Sequence, residues 1–515
     1  MLYINHINYS PFMKKTSQEK VGSLIRRLRR KKGITQKDFA EQTNTTQSVI
    51  ARIEQGNQNL SISEIDKYGN ALDHNFFQTR IKENDDFIIY GGRELSGSIV
   101  TNTSKNGAMG LLCAALINKG ITTLHGIPRI EEVFRFIEIF QSIGVSIEWA
   151  KNSTLVIQTP KRFDMKSMNL VSARKTRSII MTIGSLVHRM RNFSLPHAGG
   201  CKMGERTISA HRYGLEEFGI NINTITGSYN ISRTKLKPAD IVMYEASDTA
   251  TENCIIAAAG IAGTTTIRFA QQNYMVQDVC YFLQKLGVKI EGIGTSTLLI
   301  TGIESIEKDV TYTNSEDPIE SMMFISAAIM TKSKITVERC PIDFLRLELL
   351  KLEKMGLKYK KSESYVSHNK KTELVDITVF PSDLTAIGDK IHALPFPGIN
   401  TDNLPFFVPI ATQAKGSTLI HDWMWENRAI YFTELNRLGA DITLADPHRV
   451  FVHGVTSLTA SDIVCPPALR PSTMILVAML GASGVSKLRN VYTIKRGYEN
   501  IVERLNALGA KIEIQ

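Results

Sequence analysis

Cys201 is the residue of this sequence best placed for chemistry. It lies in Leu195-Pro196-His197-Ala198-Gly199-Gly200-Cys201-Lys202-Met203-Gly204-Glu205-Arg206, a glycine-rich loop with two cations close by in sequence. Positive neighbours favour a thiolate, and a flexible backbone allows close approach to a ligand. The other five cysteines, Cys113, Cys254, Cys280, Cys340 and Cys465, fall in or beside apolar runs. A thiol there serves as a small buried hydrophobe. A second candidate is Lys105, in Ser104-Lys105-Asn106-Gly107 ahead of a helix expected over 108–118. A lysine at that point adds charge where free backbone N–H groups already favour anions. Taken alone, such a lysine more often means a solvated surface.

The elements that must position these residues repeat along the chain. Six times a helix ends in a hydrophobic residue and a glycine, and an alternating strand follows. The glycines are Gly144, Gly219, Gly287, Gly356, Gly439 and Gly509, spaced by roughly seventy residues. Glycine after a helix is expected as its left-handed cap. Between the copies come a small-residue helix, a glycine and a Thr/Ile strand, as in Lys119–Leu124, Ala262–Ile267 and Lys415–Leu419. Units this long exclude a short-period solenoid. The apolar helix expected over 253–260 is buried on nearly all sides in this reading.

Six mixed α/β units, three in each half, resemble the enolpyruvyl transferase family, and the motifs carry the resemblance further. Lys105-Asn106 is similar to the pair that begins the family's first half. The loop to Arg206 resembles its Gly-Gly-Cys loop, lengthened here by His197-Ala198. Pro397-Gly398-Ile399-Asn400-Thr401-Asp402 resembles Pro-Gly-Phe-Pro-Thr-Asp, and Glu426-Asn427-Arg428 matches Glu-Asn-Arg. Leu469-Arg470 matches Asp-Leu-Arg, with Ala468 in place of the acid. Lys495-Arg496-Gly497-Tyr498-Glu499 matches Asp-Arg-Gly-Tyr-Glu, with Lys495 in place of the acid. Other segments depart: Ser209 replaces an Asp beside the uracil, Gln272-Asn273-Tyr274 stands for Arg-Glu-Pro, and Pro318 for an Arg.

The resemblance covers residues 87–515. It implies an α/β (α+β) fold of two halves facing each other across a cleft, one over about 105–315, the other over about 87–104 plus 316–515. It implies transfer of the enolpyruvyl group of phosphoenolpyruvate to the 3-hydroxyl of UDP-N-acetylglucosamine, releasing phosphate, the first committed step of peptidoglycan precursor synthesis. Lys105, Arg206 and Arg496 would hold the phosphate; Arg428 and Arg470 would hold the carboxylate, which a planar guanidinium fits bidentately. Asn106, Arg177 and His211 would line the nucleotide-sugar site. Asp402 would take the hydroxyl proton, and Cys201 would protonate C3. No cofactor or metal is implied. Enolpyruvyl-shikimate-phosphate synthase shares the arginines but lacks the Gly-Gly-Cys loop. A regulator that only senses the nucleotide sugar would need neither acid nor base.

The first eighty residues differ. Ten cations lie between Lys14 and Lys37 against one acid, Glu19. Val21, Leu24, Ile25 and Leu28 recur at helical spacing up to Gly33, Thr35 caps a second helix over 36–42, and a third follows over 46–55. The order resembles the Cro/repressor-like helix-turn-helix family, over residues 15–78, with a polar linker at 79–86. That resemblance implies duplex DNA as a partner, with Gln36, Gln47 and Ser48 toward bases and Arg52 and the first-helix arginines on phosphates. A basic bundle for protein contacts is the alternative.

The whole composition fits this division. A chain of 515 residues exceeds one core, and 43% hydrophobic with 22% charged residues suits a globular protein. The net charge of +11 favours anionic partners. Apolar runs such as 110–117 are too short to span a bilayer, and the start, at Met1 or Met13, has no signal-peptide pattern. Six cysteines without CxxC or zinc spacing suit a reducing cytoplasm. Oligomeric state stays open.

Overall fold

A computed structural model describes residues 17–58, 60, 62–72, 85–151, 153–197 and 207–515. Contacts divide the chain into two compact units, Met1–Ile81 and Lys82–Gln515.

The first unit packs four helices, Ser17–Lys31, Gln36–Gln42, Gln47–Glu54 and Ile62–Ala71. Ile25, Phe39, Ala40, Ile50, Ile53, Tyr68 and Leu72 form its core. Thr35 and Asp38 close a capping box on the second helix, and Thr46 caps the third. Gly22 lets the first helix approach the third: a Cβ there would lie 2.0 Å from the Ile53 carbonyl oxygen.

The second unit contains six sheets. Five share one pattern, a central strand with a parallel neighbour on one side and an antiparallel one on the other. Ile121–His125, for example, pairs parallel with Val310–Thr313 and antiparallel with Leu155–Gln158. Lys334–Pro341 does the same with Ser96–Val100 and Glu373–Phe380. The sixth sheet, built on Asn192–Pro196, is three-stranded and antiparallel. All six repeat glycines have φ between +88° and +104°, the left-handed cap that the repeat requires.

Two hydrophobic cores result. One runs from Ala108 to Tyr312 and takes in Phe344; the other gathers Phe87, Ile89 and Leu95 with residues from Ile319 to Ile512. The chain crosses between these lobes twice, and the crossings pair with each other. Ser104 N donates to Ser315 O at 2.7 Å, Asp317 N to Asn102 O at 2.9 Å, and Thr103 bridges Glu316 antiparallel.

The structure differs from the sequence reading at two edges. The helix expected over 108–118 runs Lys105–Ala115, because Ser104 caps it by accepting from Gly107 N. The polar linker does not extend to residue 86. Asp85 Oδ2 holds Lys495 Nζ at 2.7 Å, Asp86 pairs with Lys487 at 3.0 Å, and the Asp86 backbone pairs both ways with Gln515. Among the described residues no helix is long and apolar enough to cross a membrane.

Candidate active site

Asp402 is set by a turn that a buried acid holds in shape. Glu348 Oε1 accepts from Asn400 N at 3.0 Å and from Asn403 Nδ2 at 2.9 Å, while Asn400 Oδ1 accepts from Asp402 N at 2.9 Å. The helix Leu404–Thr412 follows. Two guanidiniums bracket the carboxylate. Arg470, second residue of the helix Leu469–Gly481, donates Nε to Asp402 Oδ2 at 3.1 Å and Nη1 to Tyr498 Oη at 2.7 Å. Arg428 is 1% exposed; it binds Asp422 through Nε, donates Nη2 to Thr401 O at 2.7 Å and lies 4.0 Å from Asp402 Oδ1. Burial would push the Asp402 carboxyl up. Arg470, Arg428 and Lys105 outweigh it and hold the group below the usual carboxylate range.

Lys105 comes from the other lobe. It opens its helix and pairs with Glu132 at 3.0 Å. Asn106 Nδ2 reaches Tyr274 Oη at 3.5 Å. The Tyr274 hydroxyl feels the charges of Asp317, Arg470 and Asp402, and Asp402 feels that of Lys105, so groups of the two lobes lie within electrostatic range of one another. Arg496, at the end of the short helix Tyr492–Lys495, favours the ionised form of Glu132.

Arg177 and His211 form a second group. Arg177 Nη2 donates to Thr207 O at 3.1 Å. His211 is 6% exposed, with Asn253 Nδ2 3.1 Å from Nδ1 and Thr249 Oγ1 3.2 Å from Nε2. Burial and Arg177 push its pKa down to about 3, so it braces the wall as a neutral ring. Cys201 and Arg206 lie outside the described residues. The flanks of their loop are described: His197 stacks on Tyr229 at 4.4 Å, and the chain resumes at Thr207.

Residues 89–505 match the family model of EPSP synthase (3-phosphoshikimate 1-carboxyvinyltransferase). The chain belongs to this family. Residues 25–73 match a helix-turn-helix family model. Two relatives of the EPSP synthase family region are named UDP-N-acetylglucosamine 1-carboxyvinyltransferase. That of Bradyrhizobium diazoefficiens is 34% identical over 83% of this chain and 97% of its own length. That of Treponema denticola is 33% identical over 84% and 99%. Among solved structures, the enolpyruvyl transferase NikO from Streptomyces tendae superposes with a TM-score of 0.73 at 23% identity, covering 84% of this chain and 99% of that one. EPSP synthase from Acinetobacter baumannii gives 0.66 at 18% identity, over 84% and 100%. These two structures establish the enolpyruvyl transferase fold.

Within this family framework the structure adds residues that the sequence reading passed over. Glu132 pairs with Lys105, Asp422 with Arg428, and Tyr498 with Arg470. Tyr498 lay inside a quoted motif, and Asp422 follows directly on the strand Ala414–His421. Asp317 is a buried carboxyl and Asp248 a half-buried one; desolvation pushes both up to about 6, so each spends part of its time neutral near pH 6. Among the described residues no group of three His, Cys, Asp or Glu side chains could hold a metal ion.

In the helix-turn-helix unit, Gln47 and Ser48 open the third helix and are exposed, as is Arg52. Two expectations change. Arg29 is not available to a phosphate: it is buried, and its Nε meets Glu54 Oε1 at 2.5 Å. Gln36 Nε2 donates to Glu54 Oε2 at 2.8 Å, so its amide is held against this ion pair. The remaining first-helix arginines, Arg26, Arg27 and Arg30, are exposed.

Proposed function

We propose that the second unit transfers the enolpyruvyl group of phosphoenolpyruvate to the 3-hydroxyl of UDP-N-acetylglucosamine, releasing phosphate. The observation that carries this reading is the bracketing of Asp402 by Arg470 and Arg428 of one lobe, with the charge of Lys105 from the other lobe also acting on it. Phosphoenolpyruvate brings a carboxylate and a phosphate, and a cleft that takes both needs several fixed cations. In this reading Arg428 and Arg470 take the carboxylate, and Lys105, Arg496 and Arg206 take the phosphate. Asn106, Arg177 and the His211 wall receive the nucleotide sugar. Asp402 accepts the proton of the attacking hydroxyl, and Cys201 delivers one to C3; the adduct then loses phosphate from C2 and a proton from C3, which returns to the Cys201 thiolate, while the hydroxyl proton leaves with phosphate, and the enolpyruvyl ether remains. The names of the relatives support this acceptor over shikimate phosphate. The reaction belongs in the reducing cytoplasm, where the five described thiols stay free.

The test is Asp402→Asn, which keeps the shape and removes the base. It should lower kcat by about 100-fold or more, as loss of a general base does, with little effect on nucleotide-sugar affinity. Wild-type kcat in Asp402→Asn would move the chemistry elsewhere.

A second role for the first unit rests on a separate observation, the exposed polar start of its third helix. In this reading residues 15–78 bind duplex DNA, with Gln47 and Ser48 toward base edges in the major groove.

A further inference from the structure

The cations that the proposed reaction reserves for phosphate already share a carboxylate. Glu132, in the first turn of the helix Glu131–Ser142, places Oε2 3.0 Å from Lys105 Nζ, and its Oε1 accepts from Ser178 Oγ at 3.4 Å. The two side chains of the pair are 14% and 15% exposed. Arg496, from the opposite lobe, joins them. Burial pushes the Glu132 carboxyl up, but Lys105 and Arg496 pull it below the usual range. Arg496 Nε is buried and has no hydrogen-bond partner among the described residues. That donor is left over where Glu132 faces the charges of Lys105, Arg496 and Arg135, of which Arg135 also pairs with Glu131 at 3.4 Å. The lobes meet beside this point: Arg129 N donates to Glu499 Oε2 at 2.9 Å, and Tyr492 Oη donates to Glu131 Oε1 at 3.4 Å.

We infer that Glu132 is a resident counter-ion for the phosphate subsite: it offsets part of the charge of Lys105 and Arg496 while the site is empty and competes with phosphate for them. The inference rests on reading this cleft as a phosphoenolpyruvate site. A phosphate group carries more charge and more acceptor oxygens than a carboxylate, so it displaces Glu132 from Lys105 and satisfies Arg496 Nε as well. Once the bond between carbon and the bridging oxygen breaks, inorganic phosphate leaves against a carboxylate poised to reclaim both cations. Glu132 is a positioning residue here; it makes and breaks no bond of its own.

The test is titration of the full chain with inorganic phosphate by calorimetry, without nucleotide sugar. Glu132→Gln keeps the shape and removes the charge, leaving Lys105 and Arg496 uncompensated. It should bind phosphate about tenfold or more tightly than wild type, because an unpaired buried charge is costly until an anion reaches it. In turnover, inhibition by product phosphate should tighten by the same factor. Glu132→Asp, which draws the carboxylate back by one methylene, should fall between the two and carries the test if Glu132→Gln does not fold. Equal or weaker phosphate binding in the variants, or binding undetected in all three proteins, would overturn the inference and leave Glu132 as a prop for Lys105. Wild type without turnover, but with tighter phosphate binding in Glu132→Gln, would remove the transferase reading and keep the counter-ion. Turnover with phosphate affinity unchanged by the variants would do the reverse.

Discussion

Asp402 is ionised because Arg470, Arg428 and Lys105 surround it, and those neighbours also make it a weak base in the empty cleft. In the proposed reaction the carboxylate and phosphate of phosphoenolpyruvate draw the same cations to themselves, and the basicity of Asp402 rises as the substrate arrives. In that proposal Cys201 is the matching acid, and its prediction follows from its company in sequence. Burial pushes the thiols of Cys254, Cys340 and Cys465 up to about 12, and it raises those of Cys113 and Cys280 as well. Iodoacetamide at pH 7.5 should therefore label Cys201 first, read by peptide mass mapping. Cys201→Ala should abolish that label and cut turnover by about 100-fold or more, and Cys201→Asp should retain part of it, since a carboxylic acid can also donate a proton. An unlabelled Cys201 with full activity in Cys201→Ala would contradict the assignment. Lys105, Asp402 and the arginines could be found in the sequence because each sits in a motif. Glu132 could not, because an acid in the first turn of a helix ordinarily reads as compensation of the helix dipole. Its meaning depends on Lys105 and Arg496, which are distant in sequence.

The elements divide in a similar way. The repeat glycines marked six helix ends because a left-handed cap excludes most side chains, so a backbone requirement is written directly in residue type. The cap Thr35 fixed one helix start for the same reason, whereas Thr46, expected as the first residue of the third helix, is its cap. Partners across the fold left no such mark. Arg29 reads as one more exposed cation in a basic run, yet Glu54, 25 residues on, buries it. The fourth helix of the first unit has a weaker apolar pattern but contributes Tyr68 to the core. The third helix carries the prediction at this scale. Gln47→Ala in the full chain should lose sequence preference for duplex DNA while keeping non-specific binding. Arg52→Ala should weaken all sequences evenly, with a shallower salt dependence, as loss of a phosphate contact does. Electrophoretic mobility shifts at several salt concentrations check both. No binding to any duplex at low salt would favour a protein-contact role for this unit.

At the scale of the whole molecule, the two lobes can face each other because the chain crosses between them twice and the crossings pair, while each lobe keeps its own core. Asp402, Arg428 and Arg470 come from one lobe and Lys105 from the other, so in the proposed reaction neither lobe holds the whole site. The length and the six-fold repeat made this architecture readable. The anchoring of Asp85 on Lys495 was not, because a run of acids after a basic module looks like solvated linker until Lys495 is seen beside it. Both cores lie within residues 87–512, so the proposed transferase reaction should survive removal of the first eighty residues. The most direct measurement is release of inorganic phosphate from phosphoenolpyruvate, with and without UDP-N-acetylglucosamine, for the full chain and for a chain lacking residues 1–80. Both proteins should release phosphate only when both substrates are present, with a nucleotide-sugar product heavier by one enolpyruvyl group. Phosphate release no faster than the blank, from a folded protein that still binds the nucleotide sugar, would contradict it and make the cleft a sensor.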